Sequence, residues 1–167
     1  MPRQTVCSAH GGWIVAESND TPYRLHHSLG YHLSIAARLQ ERRLDEQLRT
    51  LDLTRTTWCI LLAVGNEDLS QPSDIAEFVG IDRTATSRAL RHMEGDGLLA
   101  RASGVHDKRT RRVTLTEKGR RAIEAATPFA RENAQILAGL LEVGEEEQLK
   151  QLLAKLRGPE GAALKTL

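Results

Sequence analysis

Apolar residues recur at helical spacing along most of the chain, and runs that alternate as strands do occur only near its middle. From Tyr23 to Thr50 this spacing predicts one long helix, with Thr21 as its N-cap and Pro22 at its first position. Its apolar arc covers two adjacent sides, comprising Leu25, Leu29, His32 and Ala36 and then Leu33, Ala37, Leu44 and Leu48. Since so wide an arc exceeds what one surface helix needs, we expect the helix to contact a second surface, such as that of another subunit.

Three shorter helices are predicted next, over residues 54–64, 71–79 and 82–95. Their expected N-caps are Thr54, Ser70 and Asp82. The last two helices are separated only by residues 80–82, the short glycine-containing turn that is typical of a helix-turn-helix motif.

Two short strands follow the helix-turn-helix. Residues 98–102 and 109–115 flank a turn at Ser103 and Gly104, which predicts a β-hairpin. A long helix is expected from Thr116, bent near Pro128, and a final helix from about residue 144 to 157. A helix-turn-helix followed directly by a hairpin is a winged helix, so the predicted fold is mainly α with a small β-hairpin wing and additional helices at both ends.

Charge is unevenly distributed along the sequence. The net charge is +1, but residues 82–121 contain eleven Lys/Arg and five Asp/Glu, whereas the rest of the chain contains 12 and 17. One segment therefore carries all the excess positive charge, which favours a polyanion as partner over a merely solvated helix face.

The helix after Asp82 has two distinct faces in projection. Ala85, Ala89, Leu90 and Met93 fall on the side expected to pack inward. The opposite arc carries Arg83, Thr84, Ser87, Arg88 and Arg91 and no acidic residue. Arginine can bond guanine bidentately, and Ser or Thr can contact bases or phosphates, so this face is predicted to enter the major groove of double-stranded DNA.

The predicted hairpin tip is also basic. The tip and the start of the second predicted strand read His106, Asp107, Lys108, Arg109, Thr110, Arg111 and Arg112. Lys108, Arg111 and Arg112 are candidates for phosphate contacts, and a basic tip can reach an A·T-rich minor groove. Asp107 would be repelled by phosphate, so we interpret it as a structural partner that stabilises a wing arginine.

Several motifs along this segment occur together in one family. They are Ser73-Asp74-Ile75-Ala76, Gly80-Ile81-Asp82, Ser87-Arg88-Ala89-Leu90, Gly97-Leu98-Leu99 and Asp107-x-Arg109 followed by Val113-x-Leu115-Thr116-x-x-Gly119. In these motifs, and over about residues 23–157, the chain resembles the MarR family of winged-helix transcriptional regulators. The resemblance implies that Arg109 enters the minor groove with Asp107 as its partner. Residues 104–106 depart from the pattern, since family members often carry a proline there.

The resemblance also implies a homodimer and a domain organisation. Residues 21–50 and 116–157 would form the helical dimerisation region, and residues 51–115 the DNA-binding lobe. A flexible arm is expected over residues 1–20 and a frayed tail over residues 158–167. Two-fold symmetry then predicts a pseudo-palindromic operator, and the family makes a repressor the favoured role over an activator.

A small ligand, often an aromatic carboxylate, is a further implication of the resemblance. Arg24, His27, Ser28 and Tyr31 share one face near the start of the first predicted helix, where they could bind carboxylate or phenol oxygens. Trp58 lies where the family usually places an aromatic residue. The alternatives stay open, because that face could simply be solvated and a lone tryptophan often belongs to the core.

Other functions fit the sequence less well. Cys59 or Cys7 could make the protein a thiol-based redox-responsive repressor, although a buried free cysteine is usually inert. His26, His27 and His32 lie close together in sequence but lack the spacing of a zinc site, so no metal or cofactor is expected. A protein-interaction adaptor that does not bind DNA would predict a neutral or acidic recognition face.

Enzymatic and membrane functions are not indicated by the sequence. It contains no G-x-S-x-G, P-loop or H-E-x-x-H motif. No signal-peptide pattern or long apolar run is present, and two cysteines do not suggest a disulfide framework. We therefore expect a non-enzymatic protein located in the cytoplasm.

Overall fold

The computed structural model describes residues 22–103 and 111–158. The chain forms two compact units, with the boundary between Ala37 and Arg38. The elements in chain order are a 3-10 turn over Leu25–His27, α1 over Leu29–Arg49, α2 over Arg55–Gly65, α3 over Pro72–Val79, α4 over Arg83–Gly95, β1 over Leu99–Ser103, β2 over Arg111–Leu115, α5 over Glu117–Ala138 and α6 over Glu145–Arg157. The predicted mainly α fold with one hairpin is confirmed.

The first helix begins later than the sequence pattern predicted. Residues 25–27 form a 3-10 turn, and α1 starts only at Leu29. Ser28 acts as the cap, because its hydroxyl accepts a hydrogen bond from the Tyr31 amide at 3.2 Å. The prediction of Thr21 and Pro22 as the helix start was therefore wrong, because Pro22 lies outside any helix and α1 begins at Leu29.

The caps of α2 and α4 are those predicted. Thr54 and Thr57 form a reciprocal capping box at the start of α2. The Ala85 amide donates to the Asp82 carboxylate at 2.8 Å at the start of α4. For α3 the expected cap, Ser70, was wrong by one residue, since Gln71 takes that position without a side-chain bond. The Ser70 carbonyl instead accepts from the Val113 amide at 2.8 Å, which joins β2 to the α2–α3 connection.

The hairpin and the later helices follow the predicted order with small shifts. The strands are antiparallel, with Leu99 opposite Leu115 and Arg101 opposite Val113. The first strand starts one residue later than expected, and residues 109 and 110 of the expected second strand lie outside the described part of the chain. Helix α5 runs through Pro128 without interruption.

One hydrophobic core lies in the unit that begins at Arg38, and α2 is at its centre. Helix α2 packs against α3, α5 and β2, while α3 packs on α4 and α4 on β1. The largest fully buried side chains are Leu48, Ile60, Leu61, Ile75, Leu90, Met93, Leu99, Val113 and Thr86. The core thus fixes the inner side of α4 and of the hairpin, and leaves their outer sides in solvent.

Candidate nucleic-acid interface

Helix α4 is positioned by a short turn and by its buried side. Gly80 adopts the left-handed conformation, with φ of 75°, between α3 and α4, which favours glycine because it has no Cβ. Leu90 and Met93 pack into the core. Thr86 is also buried, and its hydroxyl donates to the Asp82 carbonyl at 2.9 Å, so no polar group of this side chain is left unpaired.

The outer side of α4 carries the five residues predicted from the projection. Arg83, Thr84, Ser87, Arg88 and Arg91 are all exposed. Within the described residues, the guanidinium groups of Arg83 and Arg88 form no ion pair, while the Arg91 Nε donates to the Ser87 carbonyl at 3.3 Å. The arrangement presents cationic and hydroxyl groups along one side of a rigid helix.

Of the wing residues predicted to contact DNA, Arg111 and Arg112 lie in the described part of the chain. Arg112 is exposed on the outer side of β2, opposite Ala102. Arg111 pairs with Ser103 at the last described rung of the hairpin. Asp107, Lys108 and Arg109 lie outside the described residues, so their predicted roles remain predictions.

An ion pair between α4 and β1 was not predicted from the sequence. The Arg101 Nε donates to the Glu94 Oε2 at 2.7 Å, and its Nη2 contacts the same oxygen. Arg101 is 14% exposed and Glu94 37% exposed. Strand alternation places Arg101 on the inward side of β1 with Leu99, which marks it as a charge that needs a partner, but it does not indicate which residue that partner is.

The segment after α4 is tied to the start of α5. The Thr116 hydroxyl lies 2.6 Å from the Gly97 carbonyl oxygen, and the Lys118 Nζ donates to the Asp96 carbonyl at 2.8 Å. A Cβ on Gly119 would come within 2.2 Å of the Leu98 carbonyl oxygen. The backbone of α5 therefore approaches this segment as closely as only glycine permits.

The predicted ligand residues fall into both compact units. Arg24 and His27 are exposed in the first unit, and Tyr31 is half-buried with its ring centroid 4.5 Å from that of His26. The Ser28 hydroxyl is already engaged, since it donates to the Leu25 carbonyl at 2.8 Å and caps α1. Trp58 is only 4% exposed and belongs to the core of the second unit.

A cavity of about 280 Å³ lies beside the start of α2. It is lined by Asp45, Arg49, Leu53, Thr54, Arg55 and Thr56. None of the predicted ligand residues is among them. The Arg55 guanidinium is directed to α1, with its Nη1 3.0 Å from the Glu41 Oε2.

The Cys59 thiol lies in α2, partly buried against the core. Burial raises the pKa of this thiol, and the nearby Arg55 charge lowers it by less. Because the thiolate is the nucleophile, this environment disfavours reaction with oxidants at neutral pH. Within residues 22–103 and 111–158, His, Cys, Asp and Glu form no group of three that could hold a metal ion. No helix in those ranges is long and apolar enough to cross a membrane.

These elements define the class of protein. Two helices joined by a tight turn, the second with an exposed polar side, lead directly into an antiparallel hairpin that packs on the same core. The chain is therefore a winged-helix protein.

Comparisons with known proteins find similarity to one family. A family model for the MarR family matches residues 51–110, which span the helix-turn-helix and the first strand of the hairpin. BpsR of Bordetella bronchiseptica, in a structure on regulation of its DNA binding by 6-hydroxynicotinic acid, is 25% identical with a TM-score of 0.75, over 83% of this chain and 99% of that one. The sequence match over residues 51–110 and the shared fold make this chain similar to MarR-family winged-helix regulators.

Two further structures of similar proteins contain DNA. S. aureus MepR in complex with DNA is 26% identical with a TM-score of 0.71, over 77% of this chain and 96% of that one. The M. tuberculosis transcriptional regulator MOSR in complex with DNA is 29% identical with a TM-score of 0.66, over 81% and 98%.

Proposed function

We propose that this protein is a sequence-specific transcriptional regulator that binds double-stranded DNA as a homodimer on a pseudo-palindromic operator and acts as a repressor. The observation that carries the proposal is the outer side of α4, where three arginines and two hydroxyl side chains are all exposed. The similar proteins MepR and MOSR have been crystallised with DNA, which supports the same use of this surface.

On this account α4 reads bases while the wing supplies affinity. Arg88 lies in the middle of the exposed side of α4, where a guanidinium can bond guanine O6 and N7. Arg112 and the predicted Lys108 and Arg111 contact phosphates, which adds affinity without sequence information. Arg109, supported by Asp107, enters the flanking minor groove.

The homodimer is supported by uncovered apolar residues near the C-terminal end of the described chain. In α6 Leu149, Leu152, Leu153 and Leu156 are between 36% and 57% exposed. Leu140 and Val143, just before α6, are still more exposed. A second copy would remove this apolar surface from water, and its two-fold axis would place half-sites about one helical turn apart.

The proposal includes release of the operator by a small aromatic carboxylate. BpsR is a similar protein whose DNA binding is regulated by 6-hydroxynicotinic acid. Arg24 is the exposed cation among the predicted ligand residues, and His27 and Tyr31 could bond the remaining oxygens. With 6-hydroxynicotinic acid as the probe, Arg24→Ala is expected to abolish the effect on DNA binding, while Arg43→Ala on the exposed side of α1 leaves it unchanged.

The central test compares two variants. One lacks three arginines of α4, and the control lacks three exposed arginines elsewhere in the chain. Replacing Arg83, Arg88 and Arg91 by Ala is expected to lower duplex affinity by about 100-fold or more, since each lost contact to a base or phosphate costs roughly 1–3 kcal/mol. Replacing the exposed Arg38, Arg43 and Arg131 by Ala changes the net charge equally and should have a much smaller effect.

The same binding assay gives a second readout through its salt dependence. If the dimer makes roughly 6–10 phosphate contacts, affinity should fall about 10³–10⁵-fold between 50 and 200 mM salt. Equal losses in the two triple variants, with folding and association state unchanged, would contradict the role of α4. A folded parent protein that binds no duplex would favour the adaptor alternative.

A further inference from the structure

The ion pair between Glu94 and Arg101 joins the two elements that are proposed to contact DNA. Glu94 lies in the last turn of α4, and Arg101 lies at the middle of β1, opposite Val113. Two nitrogens of the guanidinium contact one carboxylate oxygen, with the Nε at 2.7 Å. Charge-assisted bonds of this kind are stronger and more directional than bonds between neutral groups.

The base of the hairpin is held by backbone bonds that do not involve this pair. The Leu98 amide donates to the Met93 carbonyl at 2.9 Å, and the Thr116 amide donates to the Leu98 carbonyl at 3.1 Å. Arg101 lies three residues beyond Leu98, toward the tip. Among the described residues, Glu94 is the side chain through which α4 hydrogen bonds to the hairpin. At the rung of Arg101, the Val113 amide of β2 donates to the Ser70 carbonyl at 2.8 Å, a bond to the α2–α3 connection and not to α4. The pair is therefore the direct link between α4 and β1 at that rung.

A charged residue at position 101 is not what core packing alone would favour. The inward positions beside it are apolar, namely Leu99, Val113 and Leu115. Well-packed apolar residues in place of a buried ion pair are often as stabilising or more so, because they avoid the cost of removing charges from water. What an ion pair adds over an apolar contact is a fixed distance and direction between α4 and β1.

We propose that Glu94 and Arg101 are positioning residues that hold the hairpin at one angle to α4, so that both elements contact DNA together. The inference rests on the proposed function. It predicts that losing the pair uncouples the wing from α4: base preference within the half-site is retained, and the contribution of the flanking minor groove is lost.

The first test measures this uncoupling on DNA. Two duplexes share one operator and differ only in whether the flanking segments are A·T-rich or G·C-rich. The parent protein is expected to prefer the A·T-rich flanks by about tenfold, since narrow A·T-rich minor grooves attract an inserted arginine. Glu94→Gln and Arg101→Gln should each reduce that preference to about twofold or less, and the double variant should add little, because the two residues act as one unit.

The matched control removes a carboxylate from an exposed ion pair. Glu117 lies in the first turn of α5, with its Oε2 3.3 Å from the Arg120 Nη1. Glu117→Gln changes the net charge as Glu94→Gln does and should leave the flank preference unchanged. A merely structural role of the pair would weaken binding to both duplexes by the same factor and leave their ratio unaltered.

The second test needs no DNA, so it separates this inference from the proposed function. In free protein, amide hydrogen exchange at residues 100–102 should be about tenfold faster in Glu94→Gln than in the parent, with exchange in α2 unchanged. The charge-reversed double variant Glu94→Arg/Arg101→Glu should slow it again. A parent that binds no duplex would overturn the proposed function alone. Unchanged exchange in Glu94→Gln, or an unchanged flank ratio in a parent that binds, would overturn the positioning role.

Discussion

Helices α4 and α6 are both thirteen residues long and both have apolar residues on one side, yet their surroundings differ completely. Helix α4 buries Thr86, Leu90 and Met93 in the core and exposes a basic side. Helix α6 has no buried residue, and its four leucines lie in solvent. The same pattern therefore completes the core of the monomer in one region, and in the other forms a surface that we propose a second subunit covers.

One aspartate in each helix should produce opposite kinds of damage. Leu90→Asp places a charge in the core and is expected to cost about 4–5 kcal/mol or more in free energy of unfolding, enough to unfold much of the protein. Leu152→Asp introduces the same change on the exposed side of α6. It should leave the subunit folded and raise the dimer dissociation constant at least about tenfold, since burying a leucine is worth roughly 1.5–3 kcal/mol.

A second variant of α6 serves as the control for its apolar side. Ala154 lies about 200° around the helix axis from Leu152 and is also exposed. Ala154→Asp should leave the dimer intact, as measured by sedimentation. If Leu152→Asp and Ala154→Asp behave alike, the leucine side of α6 is not the dimer surface.

Two glycines show the same contrast between a packed and an open region in the backbone. Gly119→Ala should cost about 3 kcal/mol, because its Cβ would lie 2.2 Å from the backbone oxygen of Leu98, which cannot easily move. Gly144, the N-cap of α6, has φ of 91°, but a Cβ added there would have nothing within 4 Å. Its change to alanine should cost only about 1 kcal/mol, the cost of left-handed backbone. Urea denaturation measures both, and equal losses would mean that the segment around Leu98 is as open as the start of α6.

The smallest expected effect concerns cysteine reactivity. Because burial raises the pKa of the Cys59 thiol, in a Cys7→Ser background it should react with iodoacetamide at pH 7.5 more slowly than a cysteine at the exposed position 154. A folded-state pKa above the ordinary thiol value of 9.0 also means that this group's contribution to stability is present below pH 9.0 and is lost as the pH rises through the folded-state pKa. Rapid alkylation of Cys59 at neutral pH would instead favour the alternative that the protein is a thiol-based redox-responsive repressor.

The sequence predicted best those features of the fold that depend on interactions between residues close together in the chain. Thr54, Asp82 and Thr116 each cap a helix through bonds that span only three residues, so the sequence alone identifies them. The two wrong caps have non-local or competing causes. Ser28 caps α1 in place of Thr21, and the Ser70 carbonyl is taken by the Val113 amide of a strand far along the chain.

The features of the candidate site likewise fall into those that local sequence patterns predict and those that tertiary packing determines. The exposed side of α4 follows from helical periodicity, and all five predicted residues lie on it. The contact between Glu94 and Arg101 depends on how β1 lies against α4, which periodicity within either element does not specify. Tertiary packing sets that angle, and residues seven apart in different elements leave no periodic signal of it.

The most direct test of the central claim is selection of bound duplexes from a random DNA pool, with the full chain at about 150 mM salt. We expect an enriched inverted repeat whose half-sites lie about one helical turn apart, with sequence preference relaxed by Arg88→Ala. Failure of the folded, dimeric protein to enrich any sequence would contradict it.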